Sequence, residues 1–251
     1  MAGMEPALFA LTAFAVMFAG VSKGGFGGGA AFASAAILAV AMPPGLALGI
    51  MLPLLMLIDM ASLRAYWGQW DRQAARLLIL GGLPGVALGA ALWRVADDDL
   101  IRLLLGLIAL GFVAWRLASS RGWIRPAARR LGAGWGIVAG LAVGFTSFVS
   151  HAGGPPAAAY LLSGRPDKTT YQATTVLAFW AINIAKAVPY GFLGIFTLQT
   201  LTLDLMLAPF ALIGTWAGVK LHHVVPERAF FGLTYLLLTA TGAKLIWDAL
   251  A

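Results

Sequence analysis

Apolar stretches long enough to cross a bilayer recur along nearly the whole of this 251-residue chain and leave no room for a soluble domain. Water is absent from the hydrocarbon core, so each stretch must satisfy its own backbone, which reads as all-α membrane helices. Composition agrees, with 61% hydrophobic and only 11% charged residues, where soluble domains carry about 25% charged. Mean hydropathy is +0.87. The formal net charge of +7 comes from arginines and lysines gathered at segment ends. That pattern is one of basic loops and not of nucleic-acid binding. The chain has no cysteine, hence no disulfide framework, thiol catalysis or thiolate metal site, and no cofactor is expected. The first apolar segment lacks a basic n-region and a small-residue cleavage site, so it does not read as a signal peptide. The Ala/Gly/Leu/Arg-heavy usage suggests a multi-pass protein of a bacterial inner membrane.

In order, the first segment has a leg from Ala7 to Val21, a glycine-rich break, and a second leg from Ala30 to Met42, ended by Pro43-Pro44. Gly45 to Tyr66 follows, with Pro53 and Asp59 inside it. A short loop then carries Arg64, Trp67, Trp70, Arg72 and Arg76. Leu77–Trp93 and Leu100–Leu117 are the next spans, joined by an acidic turn at Asp97–Asp99. The linker Ser119–Gly132 carries Arg121, Arg125, Arg129 and Arg130. Beyond it Leu131–Val149 is an apolar leg, broken at Ser150–Pro156, with a shorter leg Ala157–Leu162. The spans Thr169–Phe192, Leu203–Leu221 and Ala229–Leu250 complete the chain.

The pattern after the linker repeats the one before it. Aligning the breaks sets Ser22 against Ser147 and Gly28-Gly29 against Gly153-Gly154. Asp59 then falls against Asn183, Tyr66 against Tyr190, and Gly85 and Gly89 against Gly214 and Gly218. The expected organisation is a first membrane repeat at 1–118, a basic cytoplasmic linker at 119–132, and a second membrane repeat at 133–251. Positive-inside logic places the linker, the Arg64–Arg76 loop, the Arg165–Lys168 loop and the Lys220–Arg228 loop all in the cytoplasm. Inverted halves follow, each a re-entrant hairpin or discontinuous helix plus three spans. Length agrees, since roughly 36 residues at about 1.5 Å each overfill a core of about 30 Å. The alternative is four crossings per half in parallel orientation.

The break Gly20-Val-Ser-Lys-Gly-Gly-Phe-Gly-Gly-Gly29 holds six glycines and a lysine inside an apolar segment. Glycine weakens helices, so the helix is expected to open between Ser22 and Gly29, freeing backbone groups that need partners. Close helix packing is one reading, since Gly20, Gly24 and Gly28 have GxxxG spacing. Packing alone needs neither six glycines nor a charge, and Lys23 at membrane depth points to function. The candidate anion-binding set is Ser22, Lys23, Gly24, Gly25, Gly27, Gly28, Gly29, Ser147, Ser150, His151, Gly153 and Gly154. Half-helix N-termini near Ala30 and Ala157 would face an anion with backbone N–H groups and positive dipole ends. Pro155 and Pro156 suit a helix start. Asp59, Asn183, Lys186 and His151 are the coupling or gating candidates. Asn183 and Lys186 share a helix face, and Asp59 has Lys186 or Lys23 as possible partners. Tyr66, Trp67, Trp70 and Trp93 at span ends read as interfacial anchors.

Two halves of about four hydrophobic segments, each opening on a broken glycine-rich segment, resemble the TauE/SafE sulfite exporter family. Gly25-Phe-Gly-Gly-Gly29 is the most specific element, echoed by Gly153-Gly154-Pro155-Pro156. The chain departs from the pattern at Ser150-His151-Ala152, which replaces a fuller glycine run. The resemblance implies a secondary carrier of sulfite, sulfonates or related small organosulfur anions, often for export, and not an enzyme. Its partners would be a small anion and the lipid bilayer, and the titration range of His151 suits protons as the coupling ion. No G-x-x-x-x-G-K-[ST] loop exists, which disfavours an ATP-driven pump. An anion channel, or an intramembrane enzyme assembled from His151, Ser150 and Asp59, are the competing readings.

Overall fold

The computed structural model describes residues 5–26, 31–123, 130–222 and 227–251. Gly27, Gly28, Gly29, Ala30, Arg125 and Arg129 lie outside them, as does the side chain of Arg228. Among the described residues all regular structure is helical: α1 Pro6–Gly25, α2 Phe32–Ala41, α3 Pro44–Ala65, α4 Arg72–Trp93, α5 Asp98–Ser120, α6 Ala133–Ser150, α7 Gly154–Leu161, α8 Lys168–Phe192, α9 Leu198–Leu221 and α10 Glu227–Leu250. Seven of these helices, α1, α3, α4, α5, α6, α8 and α9, are long and apolar enough to cross a membrane.

Local chemistry sets the boundaries. Asp71, Asp97 and Asp167 cap α4, α5 and α8 by accepting backbone N–H groups, and Thr197 and Thr200 form a capping box on α9. Pro44 starts α3 and Pro155-Pro156 start α7, where a missing N–H leaves nothing unsatisfied. The helix of the first segment runs to Gly25, inside the Ser22–Gly29 window where it was expected to open, and packing holds its last turn. A Cβ at Gly20 would meet the Ala211 carbonyl oxygen at 2.8 Å, and one at Gly24 the Thr215 oxygen at 2.6 Å. Gly214 and Gly218 of α9 press back against Met17 and Val21. The other end of the molecule has the same arrangement, with Gly81 and Gly85 of α4 against Gly140 and Gly144 of α6. Small residues let helix backbones touch where lipid offers no hydrophobic drive for association.

These contacts give the helix directions. On α1 and α9 they advance together from Met17–Gly214 to Gly25–Gly218, so the two run parallel, as do α4 and α6 from Gly81 to Gly89. Helix α3 is also parallel to α9, since Gly49 meets Ile195 at one end and Tyr66 meets His222 at the other. Helices α3 and α8 cross in opposite senses at Asp59–Asn183, and α5 and α10 are antiparallel from Gly106–Ile246 to Arg116–Tyr235. Helices α1 and α3 therefore point the same way, and α2 lies between them with Ser34 Oγ donating to the Ala15 carbonyl at 2.6 Å. Helix α6 leaves one end of the molecule at Leu131, and α7 returns there: the Leu131 N–H donates to Ser163 Oγ at 3.1 Å.

The described parts of the basic loops collect at one end. Arg130 pairs with Asp71 at 2.5 Å, and the Lys168 ammonium donates to the His222 carbonyl. The acidic turn at Asp97–Asp99 is at the opposite end, where Trp93 meets Gly45. Because the chain has no native cysteine, single cysteines report topology cleanly. Gln69→Cys, Ser120→Cys and Arg165→Cys should resist an impermeant thiol reagent in intact cells, and Asp98→Cys should react. Labelling of Arg165→Cys with protection of Ser120→Cys would contradict this arrangement.

A buried polar cluster between the helix ends

Helix α1 ends inside the protein, where its last carbonyls find no intrahelical donor. Three consecutive ones are met by side chains from other helices. Gln172 Nε2 donates to Lys23 O, the Tyr66 hydroxyl to Gly24 O at 2.7 Å, and His222 Nδ1 to Gly25 O at 2.6 Å. Tyr66 is 5% exposed and holds the end of α1, so it is not the interfacial anchor that its place at a span end suggests. Trp67, by contrast, is 73% exposed. The Tyr190 hydroxyl plays the matching part for α6, donating to Phe148 O at 2.7 Å.

Holding both helix ends in place sets a ring of charged and polar groups between them. Lys23 Nζ sits 2.5 Å from Asp59 Oδ1, both side chains buried. Asp59 Oδ2 accepts from Asn183 Nδ2 at 2.7 Å. Asn183 Oδ1 in turn accepts from Lys186 Nζ at 3.1 Å. Lys186 also donates to Ser147 Oγ at 3.1 Å and to His151 Nδ1 at 2.7 Å. With Nδ1 accepting, His151 carries its proton on Nε2, which faces the Leu48 carbonyl at 3.3 Å, so the ring is neutral. Of the two lysines open to Asp59, Lys23 takes it, and Lys186 has three neutral acceptors instead. Lys23 Nζ also lies 5.4 Å from the Phe179 ring centroid, within cation–π range.

His151 is the left-handed C-cap of α6, at φ 56°. A non-glycine residue there is under backbone strain, which tends to accompany functional positions. The strain turns the chain sharply so that α7 begins at Gly154, beside Ser147 and Phe179, with Gly153 too tightly packed against Phe179 and Val143 to take a side chain.

The structure thus brings together Lys23, Asp59, Ser147, His151, Asn183 and Lys186. Ser22 is buried with its hydroxyl unpartnered, as is Ser62. Ser150 turns away and donates to Thr146 O at 2.8 Å. Ser150, His151 and Asp59 therefore do not line up as nucleophile, base and orienting acid. Gly24 and Gly25 present their Cα atoms to α9 and their carbonyls to Tyr66 and His222, and Gly27, Gly28 and Gly29 lie outside the described residues. The sequence reading missed Gln172, Ser62 and the capping role of His222. A glutamine one turn into an apolar helix was the one available signal.

Two spaces adjoin the cluster. A void of about 10 Å³ is lined by Lys23, Ala31, Leu55, Ser147, His151, Phe179 and Asn183, room for one water at most. A larger cavity of about 280 Å³ opens at the basic end, lined by Gly25, Phe26, Arg116, Gly154, Lys168, Gln172 and His222 with the aromatic rings of Phe112, Trp115, Tyr171 and Phe231. Gln172 lines that cavity and holds the Lys23 carbonyl, so the end of α1 separates the two.

Residues 12–245 match the family model described as "Sulfite exporter TauE/SafE". No curated protein and no solved structure matches the chain.

Removing one partner of a buried ion pair destabilises by about 3–5 kcal/mol because the other charge is left unpaired. Asp59→Asn should therefore lower the thermal stability of the detergent-purified protein markedly, and Lys23→Met should restore part of it. Strictly additive losses in that double-mutant cycle would contradict direct pairing.

Proposed function

The chain belongs to the TauE/SafE sulfite exporter family, and from that membership and the geometry of the cluster we propose that it is a secondary carrier exporting a small sulfur oxyanion held between Lys23 and Lys186. The family implies membrane transport of sulfite- or sulfonate-type anions, a transport and not an enzymatic role. One observation carries the site assignment: two buried lysines face a single buried carboxylate. When both lysines are ammonium ions and His151 is neutral, the cluster would hold one positive charge for a bound anion to balance. An unbalanced charge inside a membrane protein is expensive, and a bound anion supplies the missing partner.

The surroundings support the same reading. Ser147 and Ser22 offer hydroxyls, and the α7 N-terminus beside Ser147 brings backbone N–H groups and the positive end of a helix dipole. Gly154, at the first position of α7, would let backbone approach the anion. The cavity at the basic end leads to the end of α1 and provides the cytoplasmic entrance. The void at the cluster is too small for a sulfur oxyanion, so loading requires the helix ends to part, as alternating access demands.

The pairing of equivalent residues supports a duplicated, inverted architecture. Asp59 and Asn183 are 124 residues apart and bond each other. Tyr66 and Tyr190 stand at the same separation and cap α1 and α6 at Gly24 and Phe148, which also share it. Helices α1 and α6 run in opposite senses, as do α3 and α8. In this reading α1–α2 and α6–α7 are hairpins that overlap around the buried cluster, with the Asp59–Asn183 bond at the pseudo-two-fold axis.

The test is exchange of labelled sulfite by purified protein in liposomes. Lys186→Ala leaves the Lys23–Asp59 pair intact and removes the unbalanced charge. Hydrogen bonds to charged groups contribute about 1.5–3 kcal/mol, so sulfite affinity should fall about ten- to hundredfold. A folded Lys186→Ala protein that exchanges sulfite at wild-type affinity would refute the assignment.

A further inference from the structure

Helix α9 carries a second buried charge-bearing group that the anion site does not use. Asp204 is 7% exposed, and neither of its carboxylate oxygens has a hydrogen-bond partner. It lies in the stripe Thr200, Leu203, Asp204, Leu207, Ala211 that α9 buries. Helix α9 packs on α1 and α3. The charged groups of those elements are Lys23 on α1, with Glu5 at its cap, and Asp59 and Arg64 on α3. Lys23 and Asp59 are committed to each other, and Glu5 and Arg64 are exposed. On α9 itself Lys220 lies over the Trp216 ring. Among the described residues, none of these groups forms an ion pair with Asp204. Even the nearby Thr200 hydroxyl is used elsewhere, donating to the Thr197 carbonyl at 2.9 Å.

An isolated carboxylate in a low-dielectric interior neutralises by taking up a proton. Ionisable groups inside membrane spans are costly to keep, and those that persist mark ion and proton pathways. Asp204 also has a telling position. It stands six residues into α9, about 9 Å from the helix start, toward the end of the molecule opposite the basic loops. The 280 Å³ cavity opens at the basic end. Asp204 and the cavity thus flank the Lys23–Asp59–Lys186 cluster from opposite sides.

We propose that Asp204 carries the coupling proton of the transport cycle. This rests on the carrier reading above. In each cycle the carboxylate takes up one proton from water at one face and releases one at the other, with only an O–H bond made and broken.

The full chain is reconstituted in liposomes and tested with methanesulfonate, which stays anionic across the pH range used. Two rates are compared: exchange at equal pH, and accumulation driven by an imposed pH gradient of either polarity. Asp204→Asn keeps the shape of the neutral acid but cannot release a proton. It should exchange at the wild-type rate while losing gradient-driven accumulation, and Asp204→Glu should regain it. The infrared carbonyl band of a protonated carboxyl in the purified protein should lose intensity in Asp204→Asn. Wild-type protein that does not exchange anions counts against the carrier reading, and the infrared difference then decides the proton site alone. Undiminished gradient-driven accumulation by Asp204→Asn, loss of exchange together with accumulation, or an unchanged infrared band each overturns the proton role.

Discussion

Two lysines and one aspartate buried in a bilayer cannot stand apart, and most of the architecture serves to bring them together. Moving an isolated ion from water into a low-dielectric interior is prohibitive unless it is paired and hydrogen-bonded. Lys23 comes from the end of α1, Asp59 from α3, Asn183 and Lys186 from α8, and Ser147 and His151 from the end of α6. Their meeting requires α1 and α6 to end inside the protein, which in turn requires something to satisfy the ends.

Backbone chemistry supplies that solution twice. Tyr66 and Tyr190 donate to carbonyls in the last turns of α1 and α6, and Gln172 and His222 complete the set on α1. Glycine pairs then lock each ending helix to a neighbour running parallel to it, α1 to α9 and α6 to α4. Gly20, Gly24 and Gly25, which look like helix breakers in the sequence, are therefore helix clamps. The turn from α6 to α7 is achieved by one strained residue, His151, whose side chain is also part of the cluster. Strain, capping and charge pairing converge on the same few residues.

Much of this was legible in the chain. The helical membrane-crossing segments and the loops at each end came from apolar length and arginine placement, because the bilayer permits so few alternatives. Asp59, Asn183, Lys186, Lys23 and His151 stood out for the same reason, since charge at membrane depth is conspicuous. The partner of each was not legible. Asp59 had two lysines within reach on paper, and only the register of α1 against α9 delivers Lys23 to it. Tyr66 looked like an anchor because span-end tyrosines usually are, whereas an internal helix end draws this one inward. Gln172 and His222 were hidden because their work, capping a helix from elsewhere in the chain, leaves no local pattern. Gly24 and Gly25 were read for the space they leave to a ligand, and the structure shows the backbone of α9 filling the space beside them.

The claim on which the rest turns is that an oxyanion occupies the charge left unbalanced between Lys23 and Lys186. Selenite has the shape and charge of sulfite and scatters anomalously. Crystals of the wild-type protein soaked in selenite should show a selenium peak in contact with the Lys186 ammonium and the Ser147 hydroxyl, between the ends of α1 and α6. Selenium bound only in the cavity at the basic end, with the cluster unchanged, would contradict the assignment.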